Sequence, residues 1–392
     1  VPDALVVSPE APYPLAGGGA MRTASILEYL ARRYTLDIIL FREPGAPDPR
    51  SSFPAGMARN VHTIDLPYHS QRFHVRASRN LVRFLYGRPP LNDRFGGFQE
   101  DFSRCLAGRR YDLAVVEHFW CAPYWEQVAP HAARTVLDLH NVESVLYRRL
   151  GALARPAESL LFSRFAAAAR RMEHRWIPRF SSVLVTSDQD AARVGDIAPG
   201  AAIWLYPNAI PATSQPRVAE EEVVIFSGSL GYQPNISAVR FFRNEIWPVL
   251  RNRWPSLRWR LVGKNAEAVA TYIKGDSRIE TTGPVENAVE ALAAARVVAA
   301  PLLAGSGTRM KIIEAWAAGR AVVSTAIGAE GLPARDGKHL LVADSATSFA
   351  DAVSRLLESS EQRRRIGAAG RALYEQQFTW NRAWDVLAQH GI

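Results

Sequence analysis

Short apolar runs of strand length alternate with segments of helical periodicity along almost the whole chain. In the first half the apolar runs are Ala4–Ser8, Leu36–Phe41, Val61–Leu66, Leu113–His118, Thr135–His140, Ser182–Thr186 and Ile203–Tyr206, with helical spacing between them over Ala20–Arg33 and Ser159–Ile177. The second half repeats the scheme. Its strand candidates are Val223–Ser227, Trp259–Gly263, Ile279–Thr282, Val297–Leu303, Ala321–Thr325 and Leu340–Ala343. Its helix candidates are Ile236–Arg253, Asn287–Ala295, Arg309–Ala318, Ser348–Glu358 and Gln362–Gln377. Strand–helix alternation of this kind predicts parallel sheets with right-handed crossovers. The fold class is therefore α/β, with two doubly wound, Rossmann-like domains. The divider is the Pro-bearing polar stretch from Pro211 to Pro216, followed by Glu220-Glu221-Glu222. It splits the chain into a first domain over 1–207, a linker over 208–222 and a second domain from 223. Ligands of such sheets bind beyond the carboxyl ends of the strands, so the cleft between the domains is the expected site.

Composition agrees with a globular protein. Of 392 residues 48 % are apolar and 22 % charged, and no run is long and apolar enough to span a bilayer. The sequence passes from Val1 straight into an apolar strand with no basic start, so no signal peptide is expected. Cys105 and Cys121 follow no metal or redox spacing and read as reduced thiols, which points to the cytoplasm. The formal net charge is +9, and part of it is clustered. Nine arginines stand against three acids from Arg72 to Arg110, and eight against two from Arg148 to Arg179. Such clusters suit an anionic membrane surface as well as a plain solvated face. No nucleic-acid motif accompanies them, and no nucleic-acid partner is expected.

The segment richest in chemistry runs from Pro301 to Gly319. A strand ends near Leu303, a turn of small residues follows (Ala304-Gly305-Ser306-Gly307), and a helix is expected from about Thr308. Glycines let backbone amides face a ligand, and a helix N-terminus adds unpaired N–H groups. Arg309 and Lys311 bring positive charge to the same place. The combination reads as a seat for a diphosphate. Glu314, three residues beyond Lys311 and so its helix neighbour, is placed to accept from both hydroxyls of a ribose. The alternative is an ordinary connecting loop whose Glu pairs locally. His118 and His140 each end a strand candidate, where a side chain would project toward the ligand or serve only structure.

This segment resembles the donor site of the family-4 retaining glycosyltransferases with the GT-B fold, the group 1 glycosyl transferases. The resemblance extends in order along the chain. It takes in Gly17-Gly18-Gly19, Thr135–Asn141, Tyr206-Pro207-Asn208, Phe226-Ser227-Gly228-Ser229, Leu261-Val262-Gly263, Thr282-Gly283-Pro284-Val285, Gly328–Leu332 and Phe378-Thr379-Trp380. It implies two facing domains, the first on the acceptor side and the second, over 223–378, binding the nucleotide-sugar donor. A last helix, 379–392, crosses back to the first. It also implies donor contacts at Gly18, Gly19, Gly305, Ser306, Gly307 and Thr308, at Glu314 for the ribose, and near Lys264 and Val285 for the base. His140 corresponds to a residue close to the reacting carbon. The chain departs from the family at two places. Ser306 stands where the first Glu of the E-x7-E motif belongs, and the turn from Gly228 through Ser229 to Asn235 lacks the usual Arg and Lys. Neutralisation of the diphosphate is then expected to rest on Arg309, Lys311 and the loop amides, with Glu330 a further contact to the donor sugar.

The expected activity is transfer of a hexosyl-type sugar from a nucleoside-diphosphate sugar to an acceptor hydroxyl, in polysaccharide, glycolipid or glycoside synthesis. The expected course is retention by same-face attack, with domain closure excluding water. No cofactor or metal is expected: no D-x-D pair occurs in a suitable loop, and preorganised amides and cations stabilise the departing diphosphate. Arg309, Lys311, His140 and His118 are the catalytic candidates. Two other readings share the fold, a non-catalytic nucleotide-sugar-binding relative and a nucleotide-sugar 2-epimerase. The expected location is cytoplasmic, with association to the inner membrane face through the arginine clusters.

Overall fold

A computed structural model of the chain describes every residue except Ala16, Gln71 and Thr308. The described strands form two wholly parallel sheets. The first contains β1 (Asp3–Ser8), β2 (Thr35–Arg42), β3 (Asn60–Asp65), β4 (Tyr111–Glu117), β5 (Ala132–Asp138), β6 (Ser182–Val185) and β7 (Ile203–Leu205), in the order β3-β2-β1-β4-β5-β6-β7. The second contains β8 (Glu221–Ser227), β9 (Arg258–Val262), β10 (Ile279–Gly283), β11 (Ala295–Ala300), β12 (Val322–Ser324) and β13 (Leu341–Val342), in the order β10-β9-β8-β11-β12-β13. Central strands such as β1 and β8 are buried on both faces, which is why they read as continuous apolar runs rather than alternating ones. In each sheet the winding reverses once, between β1 and β4 in the first and between β8 and β11 in the second. Connections leave these paired strands toward opposite faces, so each reversal opens a crevice at the carboxyl ends.

The chain divides into two compact units. One comprises Val1–Leu15, Gly19–Pro207 and Trp384–Ile392, and the other Asn208–Ala383 together with residues 17–18. The end of the helix Trp380–Gln389 thus belongs with the first unit. Trp384 Nε1 donates to the Ser25 carbonyl (2.9 Å), and Tyr29 Oη to the carbonyl of Ile392 (2.6 Å). The segment expected as a linker is held against the second unit. Tyr374 Oη donates to the Pro211 carbonyl (2.9 Å), and Arg320 and Arg363 both pair with Glu220. Glu221 and Glu222 are already part of β8.

Several boundaries differ from the sequence reading for identifiable reasons. β11 stops at Ala300 rather than Leu303, because Pro301 has no N–H to continue the ladder. β5 ends at Asp138 and β4 at Glu117, where His118 takes a positive φ of 61°. The helix expected over Ile236–Arg253 is interrupted by a π-turn over Phe242–Ile246, just ahead of Pro248, whose ring nitrogen cannot donate. The helix expected from Thr308 starts at Met310, with Arg309 still extended (φ −88°, ψ 98°) as its N-cap. Thr308 itself lies outside the described residues. Among the described residues, no helix is long and apolar enough to cross a membrane.

Candidate functional site

In the second unit the reversal between β8 and β11 brings together the turn after β8 and the loop before the helix Met310–Ala317. The strand ends are stitched by glycine backbone: Gly228 N–H donates to the Val262 carbonyl (2.9 Å), and Gly263 N–H to that of Gly283 (3.0 Å). A Cβ on Gly263 would stand 1.9 Å from the Gly228 carbonyl oxygen, so only glycine permits this approach. Lys311, in the first turn of the helix, reaches under the turn after β8. Its ammonium donates to Asn235 Oδ1 (2.8 Å) and lies 3.8 Å from the Phe226 ring centroid. It comes within 3.3 Å of the position a Cβ would take on Gly228. Asn235 in turn donates through Nδ2 to the Ser229 carbonyl (2.8 Å), so one amide fixes both the turn and the lysine.

The electrostatics of this pocket are those of a cation short of a partner. Among the described residues, no carboxylate comes within ion-pair distance of the Lys311 ammonium, which has a neutral amide and an aromatic face. Burial, then the charge of Arg309, pushes Lys311 down to about 7 against the pull of Glu314. Burial likewise raises Glu314 to about 7, with Lys311 acting in the opposite sense. An anion arriving here would restore full charge to Lys311. Arg309 is placed differently from the sequence expectation. Its side chain is folded back on its own loop, donating through Nη1 to the carbonyls of Gly307 (2.7 Å) and Ser306. Gly305 has φ +140°, and a Cβ there would meet the guanidinium at 2.6 Å. Arg309 is therefore a clasp that sets the loop rather than an outward charge. Across a trans peptide the C=O and the next N–H point in opposite directions, so the amide of Gly307 faces away from that clasp.

The first unit carries a second polar cluster at its own reversal, between β1 and β4. Arg22, on the helix Gly18–Leu30, grips Asp138 through Nε (2.7 Å) and Nη2 (2.5 Å) and donates through Nη1 to the Tyr206 carbonyl (2.8 Å). His140 Nε2 lies 2.9 Å from Glu117 Oε2 and 3.1 Å from Asp138 Oδ2. Thr23 Oγ1 also donates to Glu117 Oε2 (3.0 Å). Burial alone would raise the Asp138 carboxyl, but Arg22 and His140 more than offset it and hold it well below the usual carboxylate range. Burial and neighbouring Asp138 push Glu117 up to about 7. Burial opposes charge on His140, yet its two carboxylate partners raise it above the ordinary imidazole value. His118 stacks on His140 (centroids 3.5 Å apart) and on Trp120 (4.2 Å). Burial, then charged His140, lowers His118 far below the usual range. The surroundings of the stacked pair thus favour charge on His140 and oppose it on His118. Positive φ at a non-glycine is a strained state that surrounding structure must maintain, and at His118 it turns the ring onto His140. Among the described residues His118 Nε2 has no hydrogen-bond partner. It points at Gly19, where a Cβ would lie 3.5 Å away and would meet Glu10 Oε1 at 2.9 Å.

Glu117, Asp138 and His140 offer three ligand atoms within 4.8 Å of one another, a donor set that could hold a divalent cation. Arg22 already pairs with Asp138 in a fork, and His140 Nε2 lies between Asp138 and Glu117. Sequence reasoning named His140 and His118 but gave no role to Arg22, Glu117 or Asp138, and none to Asn235. Their signal was weak: an arginine in an otherwise apolar helix face and two acids in the last positions of apolar strands. The other expected donor residues are distributed around the second sheet. Gly305 and Ser306 are buried, Gly307, Ser229, Val285, Glu314 and Glu330 partly so, and Lys264 is exposed. Lys264 is tied to the turn after β8 by its carbonyl, which accepts from the amide of Leu230 (2.9 Å). Gly18 is the first residue of the helix Gly18–Leu30.

Comparison with known proteins follows the same lines. Residues 221–359, the core of the second unit, match the family model described as Glycosyl transferases group 1. The chain is 22 % identical over 362 residues to an "Uncharacterized 44.6 kDa protein in cps region" of Klebsiella pneumoniae, covering 88 % of each chain. Its fold is similar to that of sucrose-phosphate synthase from Thermosynechococcus elongatus (TM-score 0.78, 18 % identity, 100 % of this chain and 98 % of the other). It is also similar to Anabaena HepE solved in complex with UDP-glucose (TM-score 0.68, 15 % identity, 100 % and 99 % covered). The second unit thus matches the group 1 glycosyl transferases over residues 221–359, and the two parallel sheets share the GT-B fold of these neighbours.

Proposed function

We propose that the protein transfers a hexosyl-type sugar from a uridine diphosphate sugar to a hydroxyl of a glycan, glycolipid or small glycoside acceptor, with retention and without a bound metal. The bond from the sugar's anomeric carbon to the diphosphate oxygen breaks. The acceptor oxygen bonds the same carbon from the same face, and its proton passes to the departing phosphate oxygen. The observation that carries this reading is Lys311, a buried ammonium at the β8/β11 reversal whose partners among the described residues are a neutral amide and a ring. That position suits the diphosphate of a nucleotide, and it supplies from the helix side the charge that the turn over Gly228–Asn235 lacks. The loop amides held by Arg309 add donors for the developing charge, and Glu314 takes the ribose hydroxyls. UDP as the nucleotude is supported by the UDP-glucose complex of the Anabaena neighbour. To the His140 cluster of the first unit we assign turnover rather than nucleotide binding.

Thermal-shift measurements with UDP, GDP, TDP and ADP test the donor assignment, with UDP expected to stabilise most. Glu314→Ala removes a charged acceptor for ribose hydroxyls, each such bond contributing about 1.5–3 kcal/mol. The donor KM is therefore expected to rise roughly tenfold or more, measured as UDP released against donor concentration. An unchanged KM would remove Glu314 from the site.

A further inference from the structure

The helix Phe73–Tyr86 of the first unit turns much of its apolar side outward. Arg83 is buried and donates through Nε to Asp93 Oδ2 (2.8 Å), and Arg79 donates to the Ser70 carbonyl (3.4 Å), while His74, Arg76 and Ser78 are exposed. Its apolar residues face solvent, with Phe73 78 % exposed, Leu81 58 %, Leu85 60 % and Tyr86 71 %. Phe73, Ala77, Leu81 and Leu85 recur at every fourth position and so form one stripe along the helix, and Val82 and Tyr86 widen it. A helix normally buries such a stripe, and a contiguous exposed one marks an interaction surface. The rest of the helix is well anchored. Arg164 donates to the carbonyls of Phe84 (3.2 Å) and Leu85 (3.3 Å), placing a cation on the C-terminal turn.

Charge identifies the partner. From Tyr68 to Pro90 the chain carries five arginines and no acidic residue. Arg72, Arg76 and Arg88 are exposed around the apolar stripe, and Arg164 and Arg171 are exposed beside its C-terminal end. A protein partner of ordinary composition would leave these cations to be desolvated without a matching lattice of anions. A bilayer with anionic head groups meets both requirements, since the stripe enters the acyl boundary while the arginines remain among the phosphates. Tyr68 and Tyr86, both largely exposed, have the amphipathic rings that favour that depth. We propose that this face docks the protein on an anionic lipid surface, lying in the interface rather than crossing it. The proposal goes beyond the transfer reaction and does not depend on which nucleotide is bound.

The test is co-sedimentation of the full chain with vesicles of phosphatidylcholine alone and of phosphatidylcholine mixed with phosphatidylglycerol. Binding is expected only to the mixed vesicles and is expected to weaken with salt. The pair L81E with L85E should abolish it. The pair R72Q with R76Q should weaken it by roughly 25-fold, at about fivefold for each surface arginine. UDP binding, measured in parallel, should be unchanged in all variants, which establishes that they fold. Three results would overturn the proposal: equal binding to both vesicle types, sedimentation of the L81E/L85E variant like the parent, or a dimer in analytical ultracentrifugation that L81E/L85E dissolves. The last would make the stripe a contact between copies of the chain.

Discussion

Replacing Lys311 by methionine is expected to weaken UDP binding by roughly 30- to 150-fold while leaving the protein as stable as before or more so. The binding loss follows from removing a hydrogen bond to a charged group, about 2–3 kcal/mol. The stability result is the sharper half of the expectation. A buried ammonium whose folded-state value is pushed from 10.5 to about 7 is held at a cost, because the unfolded chain binds that proton more readily. Methionine has similar length, keeps contact with the Phe226 ring and carries no charge to desolvate. Loss of binding together with an unchanged or higher Tm separates a ligand-binding lysine from a structural one. Loss of both would assign Lys311 to the core.

The same group gives a pH dependence whose sign can be worked out. A diphosphate favours the charged lysine, so binding takes up a proton wherever free Lys311 is neutral, and affinity falls as pH rises above about 7. Glu314 must be ionised to accept from the ribose and is raised to about 7 in the free protein, so affinity also falls as pH drops below that value. Calorimetry across pH should show a maximum near neutrality. Lys311→Met should remove the alkaline limb and Glu314→Gln the acid one.

The second large effect is expected in the first unit. His140→Ala should lower kcat by about 10²–10⁴ with UDP affinity unchanged. His140 sits between Glu117 and Asp138, which raise it above the ordinary imidazole value, so the expected role is that of a hydrogen-bond donor rather than a base. Its Nε2 faces Glu117 and Asp138, and its Nδ1 lies on the side of Gly19. Glu117→Gln removes one of the two carboxylates and should move the alkaline limb of the kcat profile to lower pH, because less negative charge then supports the imidazolium. A His140→Ala variant that loses UDP binding in step with turnover would contradict the assignment, as would a Glu117→Gln profile superimposable on the parent's.

The comparison of sequence with structure is instructive at particular residues. Every strand expected from an apolar run is present, most plainly where, as in β1, β4 and β8, both faces are buried and the run is continuous. Some boundary shifts trace to one residue that overrode the pattern: Pro301 at the end of β11, His118 with its positive φ, and Pro248 beside the π-turn. The loop before Met310 was legible as a candidate phosphate site because its ingredients are contiguous in the chain. Asn235, which orients Lys311 from 76 positions away, was not, since a single amide in a polar turn has no period or spacing to betray it. The same holds for Arg22, 116 positions from Asp138. Arg309 shows the opposite failure. Its charge was legible, but its direction depends on carbonyls in its own loop and appears only once the backbone is folded. The exposed stripe of the helix Phe73–Tyr86 was not read from the sequence, since periodicity alone does not say which face is turned inward.

The most direct measurement is a crystal structure of the full chain with UDP. The account predicts a diphosphate oxygen within about 3 Å of Lys311 Nζ, further phosphate contacts from amides of the loop clasped by Arg309, and the ribose hydroxyls on Glu314. UDP bound in another part of the molecule, with the Lys311 ammonium still shared only between Asn235 and Phe226, would contradict it.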